Sequence, residues 1–348
     1  MQSIKSNALE PTRSELARLS GWQQIGRILP VYGLPLLTIL LIIFFSILLP
    51  TTFPTYLNFR SILADKAIIA LLSLAATLPM MAGRIDLTVG FGIVMWHILA
   101  IGLQVKYGVP WPLAILIVLA AAALVGLING LLVEVAQIDS FIATLGTGTM
   151  LYALALWFTD GRQIIGSLSP AFIAINTTSI IGIPIPAIYV IVLAIVLWIV
   201  SERLPLGRHV YAIGANEKAA ALNGIPVRAY VIGVFVGSGL IAGIAGCVLA
   251  AKLRIGQANV GLDYLLPALV GAFLGSTTIK PGRVNVWGTM FGVLILAVGI
   301  SGIQQLGGAF FVEPLFNGTT LVISIALAAF AQRRRTIARP ARATSDSS

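Results

Sequence analysis

The sequence predicts an all-α, polytopic transmembrane helical bundle of about ten spans, and three observations carry that prediction. Of the 348 residues 58% are hydrophobic and only 10% are charged, and the mean hydropathy is +0.99. A soluble domain carries about 25% charge, so the solvent around most of this chain is lipid. The apolar residues also fall into runs long enough to cross a bilayer, whose hydrocarbon core of about 30 Å takes about 20 helical residues. Finally, glycines recur four apart at Gly126/Gly130, Gly233/Gly237, Gly239/Gly243, Gly271/Gly275 and Gly288/Gly292. That spacing lets helix backbones approach closely where no hydrophobic effect drives association.

Taken in order, residues 1–29 are polar enough to precede the membrane. No secretory signal is expected in them, because the apolar run begins late and continues as a full span with no small-residue cleavage site. The membrane domain is expected over 30–331, with spans at 30–49, 62–82, 88–104, 112–133 and 140–158, then at 184–200, 229–251, 263–275, 286–303 and 314–331. Residues 332–348 are basic, then small and polar, and are expected to form a tail with little structure.

Charge placement orients this map. The net charge of +10 could suggest nucleic acid, yet the basic residues sort by side: sixteen of the 22 fall in alternate connections that include both termini, and Arg60, Lys66, Lys106, Arg162, Lys252 and Arg254 fall in the others. The positive-inside rule puts both termini and the 202–228 loop in the cytoplasm. The basic charge is therefore a topology signal, and no nucleic-acid partner is expected.

The 202–228 loop is the longest polar stretch between spans, LGRHVYAIGANEKAAALNGIPVR over 206–228. Asn216 is a good N-cap, Glu217 sets a negative charge on the positive end of the helix dipole, and Lys218 to Leu222 are helix formers. Asn223-Gly224 supplies a left-handed stop before Pro226. Such a short helix either ties off the loop or docks, by its alanine face, in a groove on a soluble partner.

Polar residues at membrane depth cost free energy and need a reason. In AGRIDLTVGFG (82–92), Arg84, Asp86 and Thr88 interrupt an apolar region, which is tolerated where backbone is buried in protein or lines a wet cavity. We expect a structured turn against the bundle, with Thr88 capping the next helix. In IDSFIATLGTGTM (138–150), Asp139 or Ser140 can cap a helix whose first turns carry Thr144, Gly146, Thr147, Gly148 and Thr149. These hydroxyls, with Asn129 in GLINGLL, either bond helix backbone and glue helices together or border the path of a polar solute. The third break is LGSTTIKPGRVNVWG (274–288), where Gly275, Pro281 and Gly282 interrupt helix, and Lys280 and Arg283 place it at the inner surface near the 206–228 loop. A docked partner or phospholipid headgroups could meet this basic pair.

Catalytic and metal chemistry have little support. Cys247 is the one cysteine, His97 and His209 are far apart, and no metal-ligand cluster or paired carboxylates are legible. No GxxxxGK[ST] sequence is present, so no cofactor is expected on this chain and any ATP chemistry belongs to a partner. An ion- or proton-coupled secondary transporter would call for an ionisable relay within the spans, for which Asp86, Glu134, Asp139 and Asp263 are the few candidates, all near predicted helix ends.

The motifs GRIDLTVG, GLINGLLV, FIATLGT followed by DGRQI, YAIGANEKAAALNGIPV and LGSTTIKPGR, in this order over roughly Asn58 to Ala329, resemble the permease subunits of bacterial ABC sugar importers of the ribose, xylose and arabinose type. The resemblance implies a permease fold in the inner membrane, a second permease copy or related permease, a separate ATP-binding cassette ATPase and a periplasmic sugar-binding protein that delivers a monosaccharide. It also implies that the short loop helix is a coupling helix for the ATPase, carried by Tyr211, Gly214, Ala215, Asn216, Glu217, Lys218, Ala219, Ala220 and Gly224. Asp86, Thr88, Asn129, Thr144 and Thr147 are the candidates to border the translocation path. The chain departs from the family pattern at Arg84, where a second glycine is usual, at 277–281, and at Tyr152-Ala153.

Overall fold

The computed structural model describes residues 21–308 and 311–323. The chain opens with α1 (Gly21–Leu48), α2 (Tyr56–Asp65), α3 (Ala67–Met81), α4 (Thr88–Tyr107), α5 (Trp111–Glu134) and α6 (Ser140–Thr159). A short α7 (Pro170–Thr177) leads into a two-stranded antiparallel hairpin, β1 (Ser179–Ile180) and β2 (Ile183–Pro184). Then come α8 (Ile185–Trp198), which ends in a π-helical turn at Ile199–Arg203, α9 (Pro205–Ala215), α10 (Glu217–Leu222) and α11 (Val227–Leu253). A 3₁₀ turn at Leu262–Tyr264 starts α12 (Leu265–Leu274), α13 (Val286–Gln305) follows, and residues 312–323 are again helical.

Six of these helices are long and apolar enough to cross a membrane: α4, α5, α6, α8 with its π turn, α11 and α13. A seventh results if α2 and α3, bent by 42° at Lys66, count as one span, so the expected 62–82 segment is a broken helix. Charges sit at the break, with Lys252 Nζ 2.8 Å from Asp65 and Lys66 Nζ 3.3 Å from Glu313. The expected 30–49 and 263–275 spans contain shorter apolar helices, Tyr32–Leu48 and Leu262–Leu274. The ten residues of α12 reach about 15 Å, half a hydrocarbon core. The last expected span, 314–331, is helical as far as residue 323, and its remainder lies outside the described residues, as does the 332–348 tail. α1 begins at Gly21, inside the segment expected to precede the membrane.

The core is built around α11, which packs on α5, α4 and α3 and buries Phe235, Leu249 and Val231 completely. Its contact with α5 shows why the glycine spacing matters. A Cβ on Gly126 would lie 2.9 Å from Val236 Cα, and one on Gly130 would lie 2.8 Å from Ile232 Cα. α12 and α13 meet the same way, with a Cβ on Gly292 falling 2.7 Å from the Gly271 carbonyl oxygen. Small residues therefore set the interhelical distance at both crossings.

Candidate functional site

The 202–228 loop, expected to hold one short helix, holds two. α10 is capped as its residues dictate: Asn216 breaks from helix at φ −164° and ψ 100°, its Oδ1 accepts the Ala219 N–H at 3.0 Å, and Gly224 closes the helix at φ +79°. α9 was not expected. Its signals were Pro205 at the helix start and the three-apart spacing of Gly207, Val210 and Ile213, which form the buried face.

The candidate coupling residues divide by direction. Tyr211 turns inward from α9, donates its hydroxyl hydrogen to the Val284 carbonyl at 2.9 Å, and lies under the Arg283 guanidinium, 3.3 Å from the ring centroid. Burial pushes its phenol up to about 12, against the pull of Arg283, so it stays a donor through the physiological range. Gly214 lies where a Cβ would overlap the Met81 carbonyl oxygen, and a Cβ on Gly83 would sit 3.5 Å from Gly214 Cα. Ala220, expected on a partner-facing alanine face, is 4% exposed and packs into the core. The outward face is instead made by Ala215, Lys218, Ala219, Ala221 and Leu222, with Leu222 89% exposed. Sequence reasoning missed that leucine, although a large apolar residue beside an Asn-Gly stop was visible.

The second group of residues gathers around the turn after α3. Gly83 takes φ +74°, and residues 84–87 then run without helix to the start of α4. Non-helical backbone inside a membrane bundle has to be paired, and α6 supplies the partners: Ser140 Oγ accepts the Ile85 N–H at 3.1 Å, and Thr144 Oγ1 accepts the Leu87 N–H at 3.1 Å. Thr88 is the first residue of α4 and does not cap it. Asp86 does so from one residue before the N-cap, accepting the Thr88 N–H at 2.9 Å and the Thr88 hydroxyl. The other Asp86 oxygen accepts from Ser238 of α11 at 2.7 Å.

Asn129 of α5 donates to Thr88 Oγ1 at 3.3 Å, and its Oδ1 accepts the Thr147 hydroxyl at 2.7 Å. All five candidate path residues thus lie along one seam between α4, α5 and α6. Asp86, Thr88, Asn129 and Thr144 are buried there, each with hydrogen-bond partners inside the chain.

Arg84 joins the two groups. One nitrogen of its guanidinium, Nη2, lies 3.0 Å from Glu134 Oε1 at the end of α5 and 2.8 Å from Glu217 Oε2 at the start of α10. The carboxylates outweigh the cost of burial and hold the guanidinium above its ordinary value. The 274–288 break lies against α9 through Tyr211, as its basic residues led us to expect, and Lys280 pairs with Glu202. Asn285 organises it, donating to the Gly275 and Thr278 carbonyls at 2.7 and 3.0 Å while its Oδ1 accepts the Gly288 N–H at 2.8 Å.

Two cavities lie at separate places in the bundle. One of about 550 Å³, lined by Leu78, Met81, Leu197, Val210 and Tyr230, lies between α3, α8, α9 and α11. The other, of about 650 Å³, is lined by Asp65, Lys66, Lys252, Asp263, Tyr264 and Asn317 and lies where α2 meets α3 and α11 ends.

A multi-pass helical membrane bundle with a small helical unit outside it, tied to its polar interior by charged and aromatic contacts, has the build of a transport subunit. Residues 58–331 match the family described as branched-chain amino acid transport system / permease component, and the chain belongs to that family. It is 34% identical over 325 residues to the ribose import permease protein RbsC of Bacillus subtilis, covering 93% of this chain and 98% of that one. It is 30% identical to RbsC of Haemophilus influenzae (87% and 94%) and 28% identical to the D-allose transport system permease protein AlsC of Escherichia coli (85% and 90%). No solved structure matches the chain.

Proposed function

We propose that this chain is the permease subunit of an ATP-driven importer that carries a monosaccharide, a ribose-like pentose or a related sugar, across the bacterial inner membrane. It docks through α10 on a separate ATP-binding cassette subunit, receives sugar from a periplasmic binding protein, and works beside a second permease. Both termini and the α9–α10 unit then face the cytoplasm, and the polar seam of Asp86, Thr88, Asn129, Thr144 and Thr147 belongs to the wall of the path.

The observation that carries this reading is α10 itself. It is a capped six-residue helix that exposes Leu222 at 89% and is fastened to the bundle through Glu217. A large apolar side chain at the tip of a rigid projection is the form of a docking anchor. The ribose and allose permeases among its relatives support the sugar class. The test is uptake of labelled D-ribose, D-xylose, L-arabinose and D-allose by cells with and without this chain. We expect uptake of at least one to depend on the chain. Equal uptake of all four in both strains overturns the sugar assignment.

A further inference from the structure

The two turns that touch the α9–α10 unit resemble one another in sequence. Gly83-Arg84-Ile85-Asp86-Leu87 and Gly282-Arg283-Val284-Asn285-Val286 share Gly and Arg outright and match in type at the next three positions. Each glycine takes a positive φ, +74° and +80°. Each turn leads into a 20-residue helix, α4 or α13; the first comes directly after α3, which ends at Met81, and the second after a longer connection from α12, which ends at Leu274. The third residue of each turn after glycine caps that helix: Asp86 Oδ1 accepts the Thr88 N–H at 2.9 Å and Asn285 Oδ1 accepts the Gly288 N–H at 2.8 Å. The helices that flank the turns touch, with Thr77 Oγ1 of α3 and Thr289 Oγ1 of α13 3.0 Å apart.

Both arginines reach the same short connector from these equivalent positions. Arg84 holds Glu217 at the start of α10, and Arg283 covers Tyr211 on α9, whose hydroxyl returns a bond to Val284. In each guanidinium Nε is buried and has no partner among the described residues, so neither grip saturates its arginine. Arg84 also stands between two carboxylates, Glu134 at 2% side-chain exposure and Glu217 at 44%. If Glu217 is drawn away, Arg84 keeps a counter-ion inside the bundle, so the contact has two sustainable arrangements. Coupling between distant sites needs such a two-state element, biased differently by the two partners.

We propose that Arg84 and Arg283 are a matched pair of positioning residues, a two-armed clamp by which movement of the α9–α10 unit displaces both turns together. Through Arg84 the motion reaches the buried seam: Ser140 and Thr144 hold residues 85–87, and Ser238 holds Asp86. Through Arg283 it reaches the Asn285 turn and the start of α13. The helix that enters the first turn and the helix that leaves the second are also in contact, through Thr77 of α3 and Thr289 of α13. The proposal rests on α10 being the docking element.

The experiment is reconstitution of the full importer, with parental, Arg84→Ala, Arg283→Ala, double-alanine, Arg84→Lys and Leu222→Asp permeases. ATP hydrolysis and import are measured together, using the best-imported sugar of the uptake panel. We expect the alanine variants to retain the ATPase subunit and to hydrolyse ATP while importing at least about tenfold less sugar per ATP. The double variant should be no worse than the poorer single one, because the arms act as a unit. Arg84→Lys, which keeps the charge, should recover most of the import, which separates positioning from lost folding. Leu222→Asp should lose the ATPase subunit. If it keeps that subunit, the docking reading falls and the clamp with it. If Leu222→Asp loses it but the alanine variants keep the parental sugar-to-ATP ratio, or lose import and hydrolysis in equal proportion, the clamp alone is wrong.

Discussion

Two neighbouring residues of α10 point in opposite directions, and that decides what each substitution reports. Ala220 is 4% exposed and Leu222 is 89% exposed. Ala220→Trp would overpack the bundle at a cost of about 1–3 kcal/mol, so it should lower the melting temperature of the extracted permease before any effect on a partner is read. Leu222→Asp removes no internal contact of comparable size and should keep stability within about 0.5 kcal/mol, while co-purification of the proposed ATPase subunit should drop sharply. Glu217→Arg affects two sites at once, because it places a positive charge at the positive end of the helix dipole and against Arg84. A melting curve and a pull-down on the same three preparations check this ordering.

At the scale of the element, the residues 84–87 segment has the strictest requirements, since its backbone is not helical and its second half, Asp86 and Leu87, is buried. The hydroxyls of Ser140 and Thr144 accept its N–H groups, and each sits at the start of α6, one turn apart. Thr144→Val should leave the Leu87 N–H unmet and cost about 1–3 kcal/mol, whereas Thr144→Ser should be close to neutral. Thermal unfolding in detergent distinguishes the two, and equal stability of Val and Ser variants would show that the pairing is dispensable. The α5–α11 crossing makes a parallel demand: Gly126→Leu would drive side-chain atoms into the backbone of Phe235 and Val236, and the extracted protein should aggregate or melt many degrees lower.

For the whole molecule, the consequence is an asymmetry of ends. Arg84, Arg283, Lys280 and the α9–α10 unit gather at one end of the bundle, and the cavity lined by Asp65, Lys66, Lys252 and Asp263 lies toward the other. The proposed orientation puts the first of these in the cytoplasm. Reporter fusions after Ser201 and after Gln332 should therefore both score cytoplasmic, and a periplasmic signal at either position would reverse or redraw the map.

The sequence by itself determined what depends on composition and on one or two helical turns. The lipid-facing class follows from 58% hydrophobic residues, and the α10 helix follows from Asn216, Glu217 and Gly224, whose cap, dipole and stop act within a few residues of each other. The close helix crossings at Gly126/Gly130 and at Gly271 and Gly292 were legible in the glycine spacing because a missing Cβ has the same effect wherever a backbone approaches, whereas at Gly233 no neighbour comes within 4 Å of where a Cβ would be. Tertiary structure decided the rest. Asp86 rather than Thr88 caps α4, Ala220 turns inward, and the Ser140 and Thr144 hydroxyls pair with a backbone segment more than fifty residues away. Arg84 meets Glu217 across 133 residues of chain. Helical periodicity fixes which residues share a face but not which neighbour that face meets, and pairings at such separations exist only once the helices have packed.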